Sequence, residues 1–138
     1  MPFVVDASVV GSWLLPDENH PEALTALERL KDEEAFVPSL LWFELRNLLL
    51  ANERRQRITP IQTAAALNLV QELPLRFDSQ ADSDTTLQLA RAHRLTVYDA
   101  VYLELAVRRH LALVTFDAAL AEAATRINVS NPKTEKAW

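Results

Sequence analysis

The chain has no cysteine and a single glycine, Gly11, among its 138 residues. Without thiols there is no disulfide, no thiolate nucleophile and no cysteine-ligated zinc, and the expected compartment is the cytoplasm. One glycine cannot build a glycine-rich phosphate loop, so the P-loop and dinucleotide fingerprints are both excluded. No apolar run approaches the ~20 residues a membrane span needs, so no membrane partner is expected. The opening Met1-Pro-Phe-Val-Val-Asp6 lacks the basic start of a secretory leader. Histidines are few and scattered (His20, His93, His110), which argues against a zinc triad. Lysine is scarce too, so eleven of the fourteen basic residues are arginines, the side chain best shaped for bidentate contact with phosphate. No serine stands in a nucleophile elbow.

What is present is the balance of one soluble globular domain: 49% hydrophobic and 24% charged residues, long enough to bury roughly two-thirds of the unfolded surface. Short apolar runs at Phe3–Val5, Ala35–Pro38, Leu75–Phe77 and Leu111–Thr115 read as strands, the third alternating in and out, with a possible fifth at Asn128-Val129. Helical spacing fills the intervals: Val9 to Leu15, a helix opened by His20-Pro21-Glu22, one capped by Ser39 and running to about Arg55, then one to Leu73. That last helix opens on Thr59-Pro60-Ile61-Gln62, a capping box with proline at the first helical position. Further helices are expected from about Asp82 to His93, from Thr96 to about Arg109 and from Asp117 to about Arg126. Strands alternating with helices predict an α/β sandwich around a mainly parallel sheet of four to five strands. Residues 1–130 read as the domain and 131–138 as a loosely attached tail.

Four acids stand out. Asp6 and Asp117 follow the first and fourth strands, at the carboxyl ends where ligands collect in open parallel sheets, although each could also simply cap a helix. Asp99 sits in Thr96-Val-Tyr-Asp99, a capping-box pattern, yet its helical neighbours Tyr102, Leu103 and Ala106 turn it inward. Glu44 lies among Leu40, Leu41 and Leu48, with Asn47 on the same face and no Lys or Arg at helical contact spacing. Such a carboxylate is costly to bury unpaired. Convergent carboxylates repel, so one must protonate or a cation must enter. Oxygen ligands alone suit Mg²⁺ or Mn²⁺, and phosphodiester hydrolysis is the reaction such a site serves. The net charge of −5 is a weak objection to a nucleic-acid partner, because acids gathered around a metal are offset by it.

The order of motifs resembles the PIN-domain family, in particular the VapC toxins: Val4-Val5-Asp6-Ala-Ser8, then Glu44 and Asn47 in a leucine-rich helix, then Tyr98-Asp99-Ala100, then Thr115-Phe-Asp117 with Leu120. The resemblance covers about residues 3–129. It implies a PIN-like three-layer α/β/α sandwich and a Mg²⁺- or Mn²⁺-dependent endoribonuclease, acting on RNA as a homodimer and inhibited by a cognate VapB-like antitoxin. By position, Asp6, Glu44, Asp99 and Asp117 correspond to the acidic metal site, and Ser8, Asn47 and Thr115 to supporting positions that hydrogen-bond the acids or bound water. Asp6, Asp99 and Asp117 would bind metal most directly, with Glu44 a ligand through water or the base for the attacking water. The chain departs from the pattern where Arg109-His110 replaces a turn glycine before the fourth strand.

A receiver domain would need paired acids after the first strand and a late lysine at a strand end, and a dehalogenase-type phosphatase would need aspartate where Ser8 stands. The stronger rival is a non-catalytic PIN-like module that binds RNA or protein. Two surface features bear on partners. Arg54, Arg55 and Arg57 form a basic cluster that could track RNA phosphates or complement the helix dipole. The segment Leu40–Leu50 leaves almost no polar face, and with Trp13 and Leu14 it predicts apolar surface covered by a second copy of the chain and by an antitoxin segment.

Overall fold

Neighbouring side chains of a strand leave by opposite faces, and in the first strand both faces are apolar. Phe3 and Val5 of β1 (Phe3–Val5) join one apolar cluster, while Val4 between them joins another. β2 (Ala35–Pro38) repeats the split, with Ala35 and Val37 on the first side and Phe36 on the second. In β4 (Ala112–Val114), Val114 takes the first side and Leu113 the second. A parallel sheet apolar on both faces must be covered on both, which gives the three-layer sandwich expected from the sequence. The computed structural model describes residues 1–16 and 20–131.

The first face is covered by α1 (Ala7–Leu14), α2 (Pro21–Arg29) and α3 (Leu40–Arg54), through Val9, Val10, Ala23, Ala26, Leu41 and Leu45. The second is covered by α6 (Val97–Arg109) and α7 (Ala118–Arg126), through Tyr102, Leu103, Ala106, Leu120 and Ala124. α5 (Ser83–His93) packs on α6. α4 (Pro60–Glu72), opened by the expected capping box, packs on α3 with no buried residue of its own. The one glycine is spent on close approach: a Cβ on Gly11 would stand 2.8 Å from a Leu48 methyl. No helix among the described residues is long and apolar enough to cross a membrane.

β3 (Leu75–Asp78) completes a sheet of order β3-β2-β1-β4 in which every pairing is parallel. The chain lays β2 and β3 to one side of β1, then returns to place β4 on the other. The order thus reverses at β1, and the crevice beyond the carboxyl ends of β1 and β4 is where an open sheet of this kind holds ligands.

Several expectations need correction. Asn128-Val129 forms no fifth strand: Asn128 has φ 62, and only an isolated bridge joins Ser130 to Leu113. Ser39 occupies the start of α3 but is itself helical and makes no side-chain cap. α1 begins at Ala7, because Asp6 caps it directly. β3 does not alternate: Phe77 is exposed and Asp78 is buried. By contrast, the helix over Leu40–Leu50 buries one stripe and leaves Trp42, Phe43 and Leu50 exposed on the single chain, the uncovered apolar surface that its sequence predicts. At the turn that lacks glycine, His110 adopts the left-handed conformation itself, with φ 55, at a cost of roughly 1 kcal/mol. The tail from residue 132 lies outside the described residues.

The edge strand is held by a buried ion network that the sequence did not announce. Arg108 grips Asp78 through both oxygens, at 2.9 and 3.0 Å, and Arg109 adds a third bond at 2.6 Å. The Arg108 guanidinium also reaches back one turn to buried Glu104 at 2.7 Å. Glu104 also accepts the Asp82 N–H at 3.3 Å, so the segment leading into α5 is tied down as well. Arg108 chiefly holds the Asp78 carboxyl well below the usual carboxylate range. Replacing Arg108 by Met leaves buried Glu104 without a cation and Asp78 with Arg109 alone, with an expected cost of about 3 kcal/mol and a fall in melting temperature of roughly 10 °C. A depressed carboxyl stabilises above its unfolded value of about 4 and loses that contribution as pH falls through the folded value. Urea unfolding at about pH 7 and about pH 2.5 checks the assignment. The native chain should lose more stability over that interval than Arg108→Met, and equal losses would refute it.

Candidate metal centre

Asp6 is the first residue past β1, and its side chain has two jobs. It caps α1 by accepting the Val9 N–H at 3.2 Å, and it is buried, with 5% of its surface exposed. The Ser8 hydroxyl donates to Oδ1 at 2.6 Å, and the Thr115 hydroxyl, past the end of β4, donates to Oδ2. Each hydroxyl is itself oriented by a backbone N–H: Phe116 donates to Ser8 Oγ at 3.1 Å and Asp117 to Thr115 Oγ1 at 3.0 Å. The ends of β1 and β4 are therefore joined through one carboxylate. Asp117 caps α7 through Oδ1, accepting the Leu120 N–H at 2.8 Å, and is exposed at the crevice mouth.

Thr96 caps α6 by accepting the Asp99 N–H at 3.1 Å, which leaves the half-buried Asp99 side chain to face the crevice. Glu44, half-buried on α3, has no ion pair among the described residues. Its Oε1 accepts the Tyr102 hydroxyl at 2.6 Å. Tyr102 is the site residue that sequence reasoning missed. It stood in view one turn after Asp99, but only as an apolar neighbour, and nothing local reveals that its hydroxyl meets a residue of another helix. Asn47 is not brought to the acids: it is exposed and makes no hydrogen bond among the described residues.

The four acids feel one another. Burial raises Asp6 above the ordinary carboxylate range against the pull of its donors, and the charge of Asp99 adds to the rise. Burial likewise raises Glu44, with Asp6 and Asp99 both adding to it. Burial raises Asp99, and Asp117 adds. Among the described residues no Lys, Arg or His forms an ion pair with any of the four. Nor do any three such side chains close tightly enough to form a ready-made cage. What the crevice offers is a set of oxygens without a countercharge. Glu44 keeps Oε2, and Asp117 keeps Oδ2, without a partner among the described residues. All-oxygen donors of this kind fit a hard divalent cation that keeps part of its water shell.

The model of the PIN domain matches residues 3–126. The chain belongs to the PIN-domain family. Ribonuclease VapC3 of Pyrobaculum aerophilum is 32% identical over 128 residues, covering 88% of this chain and 94% of that protein. Among solved structures, PAE2754 from Pyrobaculum aerophilum matches with a TM-score of 0.72 at 22% identity, over 89% of this chain and 84% of that one. A toxin–antitoxin complex from Klebsiella pneumoniae matches with a TM-score of 0.64 at 16% identity, over 94% and 96%. These structural likenesses establish the PIN-like sandwich. Within that fold, Asp6 and Asp117 directly follow β1 and β4, the two strands between which the sheet order reverses.

A carboxyl raised on folding stabilises fully below its unfolded value and loses that contribution as pH rises through the folded one. Metal-free protein in EDTA should therefore gain stability from these acids as pH falls from neutral towards the ordinary carboxylate range. Asp6→Asn should flatten that trend and melt no lower than the native chain at pH 7, since one like charge is gone. A loss of several degrees for Asp6→Asn would mean that capping of α1, worth ~1 kcal/mol, outweighs repulsion.

Proposed function

We propose that this PIN-domain chain is a VapC-type toxin: a Mg²⁺- or Mn²⁺-dependent endoribonuclease of the cytoplasm, working as a homodimer and held inactive by a VapB-like antitoxin. The observation that carries this reading is the convergence of Asp6, Glu44, Asp99 and Asp117 on one crevice, with no ion pair to any of them among the described residues. The likeness to Ribonuclease VapC3 supports it. Asp6, Asp99 and Asp117 would hold the cation, and Ser8 and Thr115 fix the Asp6 oxygens. When bound there, such a cation supplies an activated water and offsets charge on the phosphodiester. Glu44 serves either as a ligand through water or as the group that takes the proton of the attacking water. Asn47, exposed one turn along α3, is left to meet the substrate. Arg54 lies ten residues beyond Glu44, about 15 Å along the helix, and with Arg55 and Arg57 it is exposed, at a reach suited to neighbouring phosphates.

Cleavage of RNA should require added Mg²⁺ or Mn²⁺, stop with EDTA and disappear in Asp6→Asn. Undiminished cleavage after thorough chelation would refute the metal mechanism. Retained RNA binding without cleavage under any metal would favour the non-catalytic module instead.

The partners follow from uncovered apolar surface. Trp42 is 49% and Phe43 62% exposed on α3, and Ile61 and Leu69 stand out from α4. Beside them a groove of about 330 Å³ runs between α1, α3 and α4, lined by Trp13, Leu14, Pro16, Leu49, Ile58 and Ala66. An apolar helix from an antitoxin fits such a groove, and a second copy of the chain fits the flatter aromatic face. Light scattering at micromolar concentration should give about twice the 15.6 kDa chain mass. A clean, unaggregated monomer would defeat the dimer.

A further inference from the structure

Tyr102 is the core side chain whose polar atom reaches the acids. Its ring is 1% exposed and packs with Val4, Leu103 and Ala106, yet its hydroxyl leaves that core to meet Glu44 Oε1 at 2.6 Å. Phenylalanine would fill the same space without a hydroxyl that is costly to bury unless bonded. Glu44, meanwhile, carries a charge that Asp6 and Asp99 repel. With no cation paired to it among the described residues, repulsion would swing its flexible side chain out towards water. The Tyr102 bond is the restraint that opposes this swing.

We propose that Tyr102 is a positioning residue: it holds Glu44 turned into the acidic crevice by occupying Oε1, leaving Oε2 as the oxygen Glu44 presents there. The assignment rests on the metal-dependent ribonuclease reading for its consequence, while the restraint itself belongs to the chain. The hydroxyl does no chemistry on the substrate. It keeps a carboxylate in place against its neighbours' charges, and α6 thereby contributes to the site twice, through Asp99 and, one turn on, through Tyr102.

The chain has only two tyrosines, and the other, Tyr98, is exposed, so Tyr98→Phe gives a background in which Tyr102 is read alone. In it, Mn²⁺ binding is followed by the spin-resonance signal of free Mn²⁺, and kcat and KM are measured on RNA. Tyr102→Phe should weaken Mn²⁺ binding and lower kcat by about 10- to 100-fold each, with KM for RNA within about twofold. Adding Tyr102→Phe to Glu44→Gln should change little further, because both act through one carboxylate. Native Mn²⁺ affinity and kcat in Tyr102→Phe, or losses that multiply independently with Glu44→Gln, would overturn the assignment. Should Tyr102→Phe fail to fold, a slowly exchanging Tyr102 hydroxyl proton should appear in the folded protein's NMR spectrum and vanish in Glu44→Ala. Its absence from the folded protein, or its persistence in Glu44→Ala, would overturn the assignment equally. Tyr102-dependent Mn²⁺ binding without RNA cleavage would support the positioning role and overturn the ribonuclease reading instead.

Discussion

The Asp6 carboxylate is the point to which the working end of the sheet is referred. Its backbone N–H bonds the Val114 carbonyl of β4 at 3.3 Å, and its carbonyl opens α1 by accepting the Val10 N–H at 3.1 Å. Its side chain then binds Ser8 from one side and Thr115 from the other. Those two hydroxyls in turn position the N–H groups of Phe116 and Asp117, so the entry into α7 is fixed by the exit from β1. Strands of three residues make few ladder bonds. The carboxylate supplies the cross-connection that such short strands lack, and it does so at the place where the sheet order reverses.

Features whose partners lie within a turn were legible in the sequence, and features that join distant segments were not. The Thr59–Gln62 box and the caps at Asp6 and Asp117 each bond an N–H three residues on, and all stand in the structure. The two-faced strands were legible too, since unbroken apolar runs between helices leave little choice but a covered parallel sheet. The burial of Glu44 could be read from Leu40, Leu41 and Leu48, but its partner Tyr102 lies 58 positions away. Thr115 meets Asp6 across 109 positions and Arg108 meets Asp78 across 30, and no local spacing records either.

The misreadings share one cause, which is that position in the fold outweighs local preference. Phe77 looks like an inward residue of an alternating strand, but β3 is an edge and its inward place goes to Asp78. Ser39 has the right side chain for a cap and the wrong backbone, already helical. His110 does the reverse, taking a left-handed turn that its side chain disfavours because β4 must begin directly after α6.

Asp6 and Asp78 are each 5% exposed, and the fold treats them in opposite ways. Two arginines meet Asp78, and its carboxyl is held below the ordinary range. Among the described residues only neutral donors meet Asp6, two hydroxyls and an amide, and its carboxyl is raised. Asp6 also lies deeper in the fold than Asp78, so burial raises it further, and its donors bring no charge to offset that burial. Neutral donors fix where the oxygens point but leave most of the desolvated charge uncompensated, at a cost of several kcal/mol for a buried ion. Eleven arginines were available in this chain, and one beside Asp6 would have removed that cost, as Arg108 does for Asp78. An arginine there would also have occupied the place of any cation from solvent. A crevice whose acids are oriented by hydroxyls and, among the described residues, spared ion pairs is therefore less stable alone than it could be, and under the metal-dependent function proposed above a divalent cation would return the free energy it forgoes.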